Sequence, residues 1–199
     1  SLWGDNPRYT EGAIRNAELA KIIYPGWKLR VYLDNSVPKP IWEKLANLDV
    51  DVIDFTNETK LSGHFWRFFA ANQEDQITIF RDSDSRFSLR EKKCVNSWLL
   101  QDKKFHIIRD HERHYDFPIL AGMWGIKGKL SEEQFTAMEQ YNNKFYYTVD
   151  QMYLSKYVWN ECQSDLFISG IKEDSSFNQS RKLVVPHFVG QGYDERDNP

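Results

Sequence analysis

With 199 residues, 41% hydrophobic and 28% charged, the chain is long enough to bury the core of one domain spanning residues 1–199. A net charge of −3 excludes a general attraction to nucleic acid, so any anion site must be a local cluster of Arg and Lys. No stretch approaches the roughly 18 consecutive apolar residues of a membrane span.

Ser1 to Asn6 reads as the tail of a first strand and its loop, so the chain is expected to begin at or inside that strand. Thr10 to Tyr24 carries Ala13, Ile14, Ala17, Ala20 and Ile23 at helical spacing, and Pro25-Gly26 ends it. Leu29 to Leu33 follows as a strand that stops on Asp34-Asn35. Pro40 to Leu48 is a helix with Pro near its start, and Val50 to Phe55 alternates apolar and acidic residues as a strand near a sheet edge does. Gly63 to Asn72 places Phe65, Phe68 and Phe69 on one helical face and Arg67 away from it.

Ile77 to Phe80 has no polar alternation, which predicts a strand buried on both faces of a parallel sheet. It stops on Arg81-Asp82-Ser83-Asp84-Ser85-Arg86. An extended backbone with Ser83 between them points Asp82 and Asp84 to the same side, within reach of one hard cation. The carboxyl end of such a strand is where open α/β sheets bind ligands, and Asp34 ends the second strand at the same edge. Arg81 and Arg86 flank the pair as partners for phosphate oxygens. Asp-Ser-Asp-Ser is also good turn chemistry, so a plain strand-to-helix turn stands beside the metal reading.

Ser88-Leu89-Arg90-Glu91 is a capping box that opens a helix to about Leu100. Phe105 to Ile108 is a short strand, and the loop Arg109 to Asp116 is dense in charge and histidine. Its His111, His114, Asp110 and Asp116 lack the fixed spacing of a structural zinc site. Residues 119–126 are apolar and interrupted by two glycines, as at a bulge or a close approach. Ser131 to Gln134 is a second capping box, and Asp150 opens a helix to about Cys162. The order predicts an α/β fold: an open, mostly parallel, Rossmann-like sheet with helices on both faces. Cys94 and Cys162 read as free thiols, which fits a reducing, cytoplasmic setting.

A strand ending in Asp-x-Asp within an α/β chain resembles the GT-A glycosyltransferases, which bind a nucleotide sugar through a divalent metal. His187-Phe188-Val189-Gly190 is similar to the late His-Phe-x-Gly segment of retaining enzymes related to glycogenin and the bacterial galactosyltransferases. Asp150-Gln151 resembles their Asp-Gln pair, and Arg67 stands where they carry a donor-binding arginine. Phe65 to Phe68, Arg81 to Arg86, Arg109 to His111 and Gly122 to Gly125 also resemble glycosyltransferase-like proteins of bacteria and their viruses.

The resemblance implies Mn²⁺ or Mg²⁺ on Asp82, Asp84 and His187, with a nucleoside diphosphate sugar, expected to be UDP-linked, as donor. The acceptor would be a glycan, lipid or protein hydroxyl. Asp34 would meet the base or ribose, Arg67 the donor, and Trp124 and His111 the sugar and acceptor side. Asp150 would be the base of an inverting enzyme, or position sugar or acceptor in a retaining one. The chain departs from the retaining pattern after Gly190: it reads Gln191-Gly192-Tyr193-Asp194 where those enzymes carry a lysine. Phosphate charge would then fall to Arg67, Arg81, Arg86 or Lys182. Each residue also has a plainer reading: a core histidine for His187, an N-cap for Asp150, a solvated Arg67 and a core Trp124. A metal-dependent nucleotidyltransferase or phosphohydrolase, or a non-catalytic nucleotide-sugar or glycan-binding domain, would fit the same acidic pair.

Overall fold

The computed structural model describes residues 1–58, 60–141, 147–170 and 188–199. Helix α1 (Pro7–Ile23) starts earlier than its apolar spacing suggests. Asn6 caps it through a bond from the Arg8 N–H, and Pro7 stands in the first turn, where its missing N–H leaves no partner wanting. Strand β1 (Arg30–Leu33), helix α2 (Lys39–Asn47) and strand β2 (Asp51–Asp54) follow, and β1 and β2 pair in parallel. Leu2 adds one parallel bridge to Leu33 on the other side of β1. The core of this part joins Ala13, Ile14 and Ala17 of α1 to Leu33 and Leu45.

The second sheet holds β3 (Ile77–Phe80), β4 (Phe105–Arg109), β5 (Trp124–Lys127) and β6 (Leu166–Gly170) in the order β3-β5-β4-β6. It is mixed. β5 lies antiparallel to both β3 and β4, while β4 and β6 run parallel. The expectation of a mostly parallel, Rossmann-like sheet is therefore corrected. From β4 to β5 the chain makes only a 3-10 turn, Glu112–Tyr115, and no crossover helix, so it returns beside β4 in the opposite direction. Among the described residues β3 stands at the edge of this sheet rather than at its centre, with Ile77 41% exposed.

Both faces of this sheet are nevertheless covered, and strand alternation sorts the side chains. Phe80, Phe105, Ile107, Trp124 and Ile126 face a core built with Phe65, Phe68 and Tyr153. Ile79 and Phe167 face the other way, onto Tyr24, Phe87, Val95 and Trp98. Helix α3 (Gly63–Trp66) continues as a 3-10 turn (Arg67–Ala71), and with helix α6 (Val149–Tyr153) it covers the first face. Helix α4 (Leu89–Leu99) covers the second. The expected helix from Asp150 is broken by a π-helical turn (Leu154–Val158) before it ends in α7 (Trp159–Cys162). Helix α5 (Glu132–Glu139) carries the complete capping box of Ser131 and Gln134. Cys94 and Cys162 are buried and free. Among the described residues, no helix is long and apolar enough to cross a membrane.

One glycine sets the spacing between sheet and helix. A methyl group on Gly125 would lie 2.9 Å from the Thr78 carbonyl oxygen and 3.1 Å from both Ile79 and Trp98. Two of these neighbours are a strand backbone and a fully buried indole, so neither yields easily. Gly125→Ala is expected to destabilise the fold by about 1–3 kcal/mol, read as a lower urea midpoint with unchanged slope.

Candidate functional site

The residues after β3 form a tight turn held from three directions. Buried Asn16 of α1 donates to the carbonyls of Ser83 (3.2 Å) and Ser85 (2.8 Å) and accepts from the Phe87 N–H (3.2 Å). Gly12, one turn earlier, lets the Ser83 carbonyl approach so closely that a side chain there would collide with it. Ser85 closes the turn by donating its hydroxyl to the Asp82 carbonyl at 2.8 Å. From the far end of the chain, the Tyr193 N–H donates to the Asp84 carbonyl at 2.8 Å.

This turn presents Asp82 and Asp84 to different arginines. Arg67 donates to Asp82 Oδ1 at 2.6 Å and lies 3.8 Å from Asp150 Oδ2. Arg8 grips Asp84 Oδ2 through Nε at 2.9 Å and Nη2 at 2.8 Å. Three carboxylates and two guanidiniums thus gather at the carboxyl end of β3. Gly122 packs against the Asp82 carboxylate with no room for a side chain. Asp82 Oδ2 and Asp84 Oδ1 accept no hydrogen bond from any described residue. Carboxylate oxygens are hard donors of the kind that Mn²⁺ or Mg²⁺ takes, although among the described residues no group of three or more His, Cys, Asp or Glu side chains is placed to hold a metal ion. The expected third ligand, His187, lies outside the described residues, as does Lys182.

Asp150 is the electrostatically unusual member. Its burial raises the carboxyl from 3.8 to about 6, with the Arg67 guanidinium opposing the shift and the Asp82 carboxylate adding to it. The Gln151 N–H holds Asp150 Oδ1 at 2.8 Å. A buried acid of this kind, beside a cluster that binds charge, can exchange a proton near neutral pH.

The remaining candidates divide by location. Arg81 turns inward: its Nε pairs with buried Glu91 at 2.8 Å, and Nη1 donates to the Phe80 and Trp124 carbonyls. Glu91 also accepts from the Tyr24 hydroxyl at 2.7 Å, so its carboxylate is used in the core rather than to complete a capping box with Ser88. Arg86 pairs with Asp197 at 2.9 Å, donates to the Asp194 carbonyl and lies over the Tyr193 ring, tying down the C-terminal residues. Trp124 is fully buried and stacked on Phe80, with ring centroids 4.4 Å apart, so it presents no face to a sugar. Asp34 accepts from the Ser36 backbone N–H and hydroxyl in a local turn after β1. His111 stacks on Phe188 at 4.2 Å and accepts from the Arg113 N–H. Buried Asp110, paired with Arg90, accepts the Val189 N–H at 2.9 Å, so the histidine loop anchors residues 188–190 beside β4. His114 is buried, accepts from the Asp110 N–H, and is lowered by burial to about 4.

Arg8, Asn16 and Gly12 are the contributors that the sequence reading passed over. For Arg8 a signal exists: a cation in the first turn of a helix opposes the helix dipole and needs a nearby anion to justify it. Asn16 is a polar residue buried among the apolar positions of α1. No protein-family model matches this chain, and no curated protein matches it.

Arg67 holds Asp82 and Asp150 together, so Arg67→Met leaves two partly buried carboxylates facing each other. A loss of about 3–5 kcal/mol is expected in urea unfolding, and the Asp150 carboxyl should titrate above about 6 by carbon-detected NMR. Folded Asp150 holds its proton more tightly than the unfolded chain does. Its contribution therefore favours folding fully below about pH 4 and is lost as pH rises through about 6. Asp150→Asn should flatten the stability profile in that window.

Proposed function

We propose that this protein is a metal-dependent glycosyltransferase that moves a sugar from a nucleoside diphosphate donor, with UDP the first candidate, to an acceptor hydroxyl. The observation that carries the reading is the convergence of Asp82, Asp84 and Asp150 on Arg67 and Arg8 at the carboxyl end of β3.

In this reading Asp82 and Asp84 would hold the divalent ion, with His187 as the third ligand that the resemblance implies. When bound, the ion supplies positive charge against the diphosphate as it leaves. Arg67 and Arg8, already at the cluster, would direct their remaining N–H groups to phosphate oxygens. Asp150 takes the proton of the acceptor hydroxyl as its oxygen bonds to C1. The C1–O bond to the diphosphate breaks, and its electron pair leaves with the phosphate oxygen. Arg81 stays in its buried pair with Glu91, and Trp124 supports β3 from the core.

Calorimetry with UDP should detect binding that requires Mn²⁺ in the wild-type chain and is absent in Asp84→Ala. Equal UDP binding with and without Mn²⁺ would sink the proposal. Gly122→Ala, which pushes the Asp82 carboxylate aside, should weaken the Mn²⁺-dependent binding at least tenfold, about 1.4 kcal/mol, while circular dichroism stays unchanged. With Asp150 as base, the transfer rate should rise with pH through about 6 and level off above it, and Asp150→Asn should remove that limb together with most of the activity. An unaltered pH profile in Asp150→Asn would show that another group takes the proton.

A further inference from the structure

The two rings expected on the sugar and acceptor side are already engaged: Trp124 is stacked on Phe80 in the core and His111 on Phe188. Two tyrosines stand at the acidic cluster instead. Tyr9 follows Arg8 in α1, and the Arg8 guanidinium that grips Asp84 lies 5.9 Å from the centre of the Tyr9 ring. Tyr147 comes just before α6, three residues ahead of Asp150, and it interacts electrostatically with Tyr9, Asp84, Asp82 and Arg8.

Tyr147 is placed against the ordinary habit of its side chain. A surface tyrosine lays its ring on apolar neighbours and turns its hydroxyl to water. Tyr147 is 80% exposed, the most exposed aromatic residue among those described. Yet burial raises its hydroxyl above the usual tyrosine value, with Tyr9, Asp84 and Asp82 adding to the shift and Arg8 opposing it. The hydroxyl end is thus turned to the cluster and the ring is left to solvent. One exposed ring on an open surface needs no explanation, but this one stands at the rim of a charged site and sets a flat apolar face beside hydrogen-bonding groups. A carbohydrate matches that pairing, because a sugar ring has an apolar C–H face and an edge of hydroxyls. A fatty chain gains from continuous apolar surface, whereas here a single ring stands among charges.

Resting on the glycosyl-transfer reading above, we propose that the acceptor is a carbohydrate and that Tyr147 is its platform: a sugar ring stacks on the exposed face of Tyr147, and its reacting hydroxyl is directed toward Asp150. Tyr147 makes no bond to the reacting atoms. It is a positioning residue, and its ring rather than its hydroxyl carries the contact. Tyr9 has the Arg8 guanidinium over its own ring, which leaves Tyr147 as the aromatic face offered to the acceptor.

The test is binding to an array of oligosaccharides, with and without UDP and Mn²⁺, for the wild-type chain and for Tyr147→Ala, Tyr147→Phe and Tyr147→Trp. The wild type should bind a subset of the oligosaccharides. Tyr147→Ala should weaken that binding at least about tenfold, while Tyr147→Phe and Tyr147→Trp, which keep an aromatic face, should stay within about threefold of wild type. Circular dichroism should be unchanged in all three, since the side chain is exposed. Equal binding by Tyr147→Ala and wild type would overturn the proposal, and so would a loss in Tyr147→Phe as large as that in Tyr147→Ala. An array on which the wild type binds nothing would also overturn it. UDP binding with Mn²⁺, read by calorimetry on the same samples, separates the two readings. Where UDP binds and the oligosaccharides do not respond to Tyr147, only the acceptor platform fails; where oligosaccharide binding depends on Tyr147 and UDP does not bind, the platform stands and the donor reading fails.

Discussion

The carboxamide of Asn16 is the contact on which the candidate site depends. It is buried and satisfies three main-chain groups of the 83–87 turn, binding α1 to the end of β3. Removing it would strand those groups away from water, at a cost of about 1–3 kcal/mol for each one left unpaired. Everything that gives the turn its chemistry follows from that clamp. Asp84 comes within reach of Arg8 on the same helix, Asp82 is directed to Arg67, and Arg86 is left to hold the C-terminal residues. This amide is thus one link between α1, which packs on the β1–β2 unit, and the mixed sheet.

The charges arranged by this turn are balanced but not neutral. Asp82, Asp84 and Asp150 outnumber Arg8 and Arg67, and the surplus negative charge falls where Asp150 is most buried. Burial raises the Asp150 carboxyl, and the nearby Asp82 carboxylate adds to the shift that the Arg67 guanidinium opposes. Arg67 is the pivot because one guanidinium serves two carboxylates, and its own backbone is fixed by donating to the Ser1 hydroxyl at 2.9 Å.

Much of the local structure was legible from residue order. Ser131 and Gln134 form the capping box their spacing suggests, and Ile77 to Phe80 is a strand that ends on the acidic pair. Strand direction was not legible, because side-chain period is two in parallel and antiparallel pairs alike; only the missing crossover helix between β4 and β5 distinguishes them. The proximity of Asp150 and Arg67 was suggested by a family likeness, not by spacing, since 83 positions separate them in the chain. Arg81 shows the opposite difficulty. Beside Asp82 in sequence it reads as a phosphate ligand, but alternation along the strand turns it to the face where Glu91 and Tyr24 wait. Trp124 reads as a platform because glycines flank it; those glycines make room for Asp82 and for Trp98 instead.

The space between β1 and β3 and the acidic cluster belong to one mechanical unit. Ser1 touches both: its hydroxyl accepts the Arg67 N–H, and it lines the end of the cavity between β1 and β3. Arg67 begins a 3-10 turn whose Ala70 carbonyl accepts from Thr78 of β3, so a shift of β3 relative to β1 is transmitted to the guanidinium through that turn. The separation of β1 and β3 therefore bears on where the Arg67 backbone stands against the Asp82 turn, which makes the relative placement of the two sheets a determinant of the site's charge geometry rather than only of the fold's stability.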